Sequence, residues 1–183
     1  MKQRFLILLI ALLLFSFCGC RPSGLHADST TANTETTTPA PTREAHTQLE
    51  FFLEGMVEYQ DATLFVGDGY SIYITDDGWM TAQEDGKTTW TSSYNPDITL
   101  TVIPNAGTDF DTAMDALFAG YTDVEVDGEY VYGHDEAYRY YRAARLIKTQ
   151  DGILAAVWSY TIEATEGFGA RLRVMAATLE ATE

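Results

Sequence analysis

The sequence predicts an α+β fold: a mainly antiparallel sheet with a central helix and a C-terminal helix packed on it. Three observations carry that expectation. From Leu49 onward, aromatic and aliphatic residues alternate with polar ones in short runs separated by Gly-containing turns, the pattern of half-buried strands. Between Phe110 and Tyr121 the period changes, with Phe110, Ala113, Met114, Leu117, Phe118 and Tyr121 recurring every three or four residues. Near the end, Phe168, Leu172, Met175, Ala176 and Leu179 fit a second helical face. Strands in sequential hairpins, followed by segregated helices, define an α+β layer architecture.

The elements follow in order. Leu49–Glu54 and Met56–Val66 read as two strands or one long bent strand, with Gly55 as the break. Gly67-Asp68-Gly69 turns the chain into the strand Tyr70–Ile74. Asp76-Asp77-Gly78 turns it again into Trp79–Gln83. Asp85-Gly86 is a two-residue hairpin signal leading to Thr88–Ser92. Ile98–Ile103 alternates with period two until Pro104 stops it. Thr108 or Asp109 can cap the central helix, Asp111 places an acid in its first turn, and Gly120 suits its end. Val124–Tyr132 alternates again around Asp127-Gly128, and Ala137–Lys148 with Ile153–Ile162 form a long hairpin about Gln150-Asp151-Gly152. Thr165 is the candidate cap of the last helix, whose first turn Gly167 and Gly169 weaken.

What precedes this domain has a different composition. Lys2 and Arg4 are followed by the thirteen-residue apolar run Phe5–Phe17. As a helix at about 1.5 Å per residue, that run falls short of a hydrocarbon core of about 30 Å. It suits the core of a secretory signal. The run ends Phe17-Cys18-Gly19-Cys20, which resembles a bacterial lipoprotein signal, where a small residue precedes the acylated cysteine. Phe17 departs from the leucine usual there. The resemblance implies cleavage after residue 19, a lipid on Cys20, and residence at the cell membrane on its extracytoplasmic face, with the bilayer as a partner through the acyl chains. Arg21–Thr47 holds eight threonines, three of the five prolines and one large aliphatic residue, Leu25. Such a segment cannot bury enough apolar surface to offset its ordering entropy, so residues 20–47 read as a disordered tether. Residues 48–183 then form one domain.

The only two cysteines are Cys18 and Cys20, so the domain has no thiol for a disulfide, a redox pair or a thiolate metal site. The formal charge of −16, two units more negative once Lys2 and Arg4 are removed, excludes nucleic acid as a favoured partner and repels anionic lipid headgroups.

Gly69-Tyr70-Ser71-Ile72-Tyr73-Ile74 followed by Trp79 resembles the opening of PsbP-like and DcrB-like domains. The later helix, hairpin and C-terminal helix with Phe168, Arg171 and Met175 extend the likeness, although Thr75 stands where proline is usual. The resemblance implies an antiparallel sheet flanked by helices, in exported proteins that mostly bind or assist.

Chemistry-bearing residues are few. Asp123–Gly128 resembles half of a calcium loop, but the twelfth position is His134 where a bidentate Glu is required. It reads as a strand with Val124 and Val126 inward. His134 is the one histidine beyond the tether, and Ser71, Ser92, Ser93 and Ser159 lie in no nucleophile elbow. No metal and no cofactor is expected. Tyr138, Tyr140, Arg142 and Arg145 lie where four of the nine cations beyond Cys20 cluster. They are the candidate contact residues for a protein partner or an anionic small ligand. Trp79, Trp90 and Trp158 read as core. The functional expectation is a membrane-anchored, non-catalytic binding or assembly module; the alternative is an extracytoplasmic hydrolase using carboxylates or His134.

Overall fold

The computed structural model describes residues 43–182. The signal, Cys20 and the tether up to residue 42 lie outside the described residues. Among the described residues, eleven strands form two antiparallel sheets. The smaller runs β1 (His46–Leu53), β2 (Met56–Gly67), β3 (Tyr70–Thr75) and β11 (Glu180–Ala181), in that spatial order. The larger contains β4 (Trp79–Glu84), β5 (Lys87–Ser92), β6 (Thr99–Ile103), β7 (Thr122–Asp127), β8 (Tyr130–His134), β9 (Tyr140–Lys148) and β10 (Ile153–Thr161), ordered β4-β5-β6-β10-β9-β8-β7.

This overturns the α+β expectation. The molecule is mainly β, with two sheets where one was expected, and the two α-helices are only eight residues long: α1 (Phe110–Leu117) and α2 (Ala170–Ala177). Both stop short for local reasons. Phe118 is already the C-cap of α1, and Gly120 follows in the left-handed region at φ 82°. At the C-terminus, Gly167 and Gly169 fall in a π-helical turn (Thr165–Gly169), so regular helix begins only at Ala170. Thr165 does not cap α2; it closes the short 3-10 turn Ile162–Ala164 before it, its hydroxyl donating to the Ile162 carbonyl at 2.7 Å. Asp109 is the cap of α1, its carboxylate accepting from the Thr112 amide at 2.9 Å.

Several turns form where their residues dictate. Glu54-Gly55 and Asp85-Gly86 both have positive φ at each residue, the geometry that matches strand twist, so β1–β2 and β4–β5 are tight hairpins. The domain begins earlier than composition suggests. His46 and Thr47 pair with Thr63 and Ala62, and Arg43 donates to the Ser71 carbonyl and hydroxyl while its guanidinium lies 4.4 Å from the Tyr73 ring centre.

The larger sheet is covered on both faces. One face of β10 carries Leu154, Ala156 and Trp158 into a core shared with α2 and the smaller sheet through Phe51, Ile72, Leu172 and Met175. The opposite face carries Ile153, Ala155 and Val157 into a second cluster with Ala113 and Phe118 from the α1 segment. Hence Ile153–Trp158 is buried at every position, and its sequence reads as a continuous apolar run.

Candidate functional site

At one edge of the smaller sheet a cleft of about 550 Å³ opens, lined by Gln60 and Asp61 of β2, the Thr75–Trp79 turn, Tyr94, Phe168 and Arg171. The turn is held in place by backbone bonds: the Asp76 amide donates to the Asp61 carbonyl at 3.0 Å, and the Ser93 amide to the Gly78 carbonyl at 2.8 Å. Two of the cleft's aromatic walls, Trp79 and Tyr94, have supports. Trp79 donates its indole N–H to Thr75 Oγ1 at 2.8 Å, and Thr75 is itself buried. The Tyr94 ring lies against Gly78, where a Cβ would stand 2.9 Å from Cε2; Gly78 also sits at φ 88°, so only glycine fits. Tyr94 is nonetheless 78% exposed.

The carboxylates are oriented too. Asp76 accepts from Thr63 Oγ1 at 2.6 Å, and that hydroxyl accepts in turn from His46 Nδ1 at 3.1 Å. Asp61 accepts from Gln48 at 2.9 Å. Arg171, the single cation of the lining, is engaged by Glu58 at 2.9 and 3.2 Å. The bonds that Gln60 and Arg171 donate hold the Glu58 carboxyl below its ordinary range. The arrangement offers oriented rings, acceptors and solvent access, which suits binding.

His134 occupies a second, shallower depression with Asp123, Tyr138 and Tyr141. It is 7% exposed and lies under the Tyr138 ring, with ring centres 3.8 Å apart. Nε2 lies 3.1 Å from Asp123 Oδ2, and Nδ1 lies 2.9 Å from the Asp135 carbonyl. Both ring nitrogens are therefore engaged, which leaves neither for a substrate proton in this arrangement. Tyr138 also donates to Asp123, and that bond raises its phenol above the ordinary tyrosine range.

The loop that brings Tyr138 over His134 is held by Asp135, which accepts from the amides of Arg139 at 2.6 Å and Tyr140 at 2.9 Å. The bond from the Tyr140 amide is the main cause of a lowered Asp135 pKa. A depressed carboxyl contributes stability above its unfolded-state pKa, about 3.9, and loses it as pH falls through the folded value. The protection of the Arg139 and Tyr140 amides, measured relative to their intrinsic exchange rates, is thus expected to fall below about pH 4. Asp135→Asn, which keeps an acceptor but cannot titrate, removes that acid step; an unchanged step in the variant assigns it to another group.

The four candidate contact residues do not converge. Tyr138 stacks on His134, and Tyr140 is half-buried beneath the Arg139 guanidinium, 5.8 Å away. Arg142 donates to the Leu117 carbonyl at the end of α1 at 2.7 Å and lies over the Tyr121 ring. Arg145 reaches the end of α2, donating to the carbonyls of Ala177 at 2.8 Å and Leu179 at 3.0 Å. The two arginines point to opposite faces of β9, and both satisfy helix-terminal carbonyls.

Asp123–Asp127 lies in the edge strand β7, but Val124 and Val126 are exposed rather than inward. Every residue from Asp123 to Asp127 is exposed, so neither face of this edge strand is covered; a register shift between Thr122 and Glu125, with Asp123 at φ 48°, interrupts its pairing. Trp90 and Trp158 are core residues, and Trp79 lines the cleft. Sequence reasoning read Asp76 and Asp77 only as turn residues and passed over Tyr94. The available signal was an aromatic beside Asn95-Pro96, in a loop with no apolar periodicity to bury it.

Residues 43–116 match a domain of unknown function, DUF8580. That span contains every cleft residue except Phe168 and Arg171. The chain is also similar to the solution structure of cyanobacterial PsbP (CyanoP) from Synechocystis sp. PCC 6803. The likeness covers 66% of this chain and 92% of that one at 12% identity, with a TM-score of 0.45. No curated protein matches.

Proposed function

We propose that the protein is a lipid-anchored, extracytoplasmic and non-catalytic binding or assembly module, with the Trp79–Tyr94 cleft as its contact point. The observation that carries this reading is the cleft itself, whose rings and carboxylates are oriented by hydrogen bonds and close packing before any ligand arrives. Phe5–Cys20 supports the anchor, since an acidic domain that anionic headgroups repel needs a covalent hold on the membrane.

Two measurements test the reading. Cys20→Ala is expected to abolish acylation and leave the protein uncleaved or shed; unchanged fractionation with membranes of a non-acylated variant removes the anchor. In-cell crosslinking from a photoreactive group at position 94 is expected to capture defined neighbours, and Trp79→Ala, which removes an aromatic wall of the cleft, to lose them. Capture that is identical from an exposed control position such as Glu84 counts against the cleft.

A further inference from the structure

We propose that His134 is a proton-operated latch: as an imidazolium it clasps Asp123 of β7 and Tyr138 of the β8–β9 loop, and on losing a proton it releases both. The inference is independent of the cleft and rests on what surrounds the ring. Nδ1 lies 2.9 Å from the Asp135 carbonyl oxygen, which can only accept. Nε2 lies 3.1 Å from Asp123 Oδ2, and that oxygen also accepts from the Tyr138 hydroxyl at 3.1 Å. Thr122 Oγ1, 3.2 Å from Nδ1, has a single proton and a second acceptor for it in the His134 carbonyl at 3.3 Å. A neutral imidazole carries one N–H and one lone pair, so it would turn a lone pair onto one of these oxygens. Only the imidazolium donates from both nitrogens. The Tyr138 ring favours the same form, since it lies face to face with the imidazole and a ring face attracts a cation.

The other charged groups nearby are already committed. From β7, Glu125 shares the depression with Asp123. The Asp135 carboxylate is taken by the Arg139 and Tyr140 amides and met by the Arg139 guanidinium at 3.6 Å. Tyr141 of β9 presents its ring edgewise at 6.1 Å. On the α1 side Phe118 and Tyr121 pack against Gly133, and Arg142 lies over Tyr121 with its donor on the Leu117 carbonyl. The clasped residues are also held in strained backbone. Among the described residues four that are not glycine have positive φ; Glu54 and Asp85 sit in tight hairpins, and the other two are Asp123 at 48° and Tyr138 at 53°. A bulky residue such as Tyr138 enters that region only where its surroundings compel it. Asp123 falls where the β7–β8 pairing is interrupted, so the ladder does not hold it. The contacts to His134 oppose the strain, and losing a proton weakens them. The latch is therefore closed while both ring protons are present and opens as pH rises; the acid step at Asp135 loosens the same loop from the other side.

The test follows the ring protons and the clasp together. The isotope-labelled full chain in a nonionic detergent is titrated from about pH 5 to about pH 9. Long-range proton–nitrogen NMR spectra report each ring nitrogen of His134, and the Tyr138 ring signals report the stack. At the acid end both nitrogens are expected to carry protons, with the Tyr138 ring protons shifted by the imidazole beneath them. As His134 loses a proton, that shift is expected to disappear. The protection of the Tyr138 amide, which donates to the Asp135 carbonyl at 2.9 Å, is expected to fall with the same midpoint. Asp123→Asn keeps an acceptor without the charge, at a side chain 70% exposed, and is expected to move the midpoint several-fold in proton concentration towards lower pH. A Tyr138 ring that keeps its shift while His134 titrates, a single ring proton on His134 at the acid end, or a midpoint indifferent to Asp123→Asn overturns the latch.

Discussion

Trp158→Ala is expected to lower the folding free energy by about 3–5 kcal/mol, the usual result of deleting a large buried aromatic. Trp158 is 1% exposed on β10, the strand at the centre of the seven-stranded sheet, and is registered opposite Leu100 on β6 and Ala143 on β9. Tyr130 meets it edge-to-face at 6.4 Å between ring centres. Its neighbours sit on paired strands, which limits how far the backbone can close over the space left behind. Domains of this size have stabilities of about 5–15 kcal/mol, so the loss is a large fraction of the whole. Urea unfolding followed by near-ultraviolet circular dichroism measures it. Trp79→Ala serves as the contrast, because Trp79 is half-buried at the rim and should cost much less. Similar losses for both would contradict the assignment of one to the core and the other to a binding surface.

The second large effect concerns Arg145. Arg145→Met keeps most of the side-chain volume and removes the donors that satisfy carbonyls at the end of α2 and the Nε bond to Glu129 at 3.1 Å. Bonds from a charged donor contribute about 1.5–3 kcal/mol each in net terms, and helix-end cations add a fraction more. A loss of about 3 kcal/mol is expected, after allowing for water reaching some of the freed carbonyls. Arg145→Lys should recover part of it, since an ammonium reaches fewer acceptors than a guanidinium. Arg139→Met, at a side chain 73% exposed, should change stability by less than about 0.5 kcal/mol. If Arg145→Met behaves like Arg139→Met, the cap is not stabilising, and Arg145 returns to the pool of surface contact residues.

These two residues illustrate how much was legible beforehand. Trp158 was readable as core because it sits in an unbroken apolar run. Arg145 was not readable as a cap, because its acceptors lie more than thirty positions later in the chain. The same distance separated the basic cluster into its parts: spacing put Arg142 and Arg145 on opposite faces, but only packing showed a helix end waiting on each face. The cleft was less legible still. Glu58 and Arg171 meet across 113 positions, and the turn Asp76-Asp77-Gly78 carries no mark of facing Tyr94 rather than open water.

The sequence by itself determined the local features. These are the break at Gly55, the tight hairpin at Asp85-Gly86, the apolar stripe of α1 and a polar cap at Thr108 or Asp109, a domain without thiols, and the charge that sets what it repels. Each follows from residues a few positions apart, whose backbone preferences or composition act without the rest of the chain. The tertiary structure alone decided that the strands divide into two sheets and that β10 is buried on both sides. It also decided that Trp79, alone of the three tryptophans, lines a cleft. The reason is physical: which face of a strand is covered depends on the total apolar surface that must leave water, and that balance is struck across the whole fold.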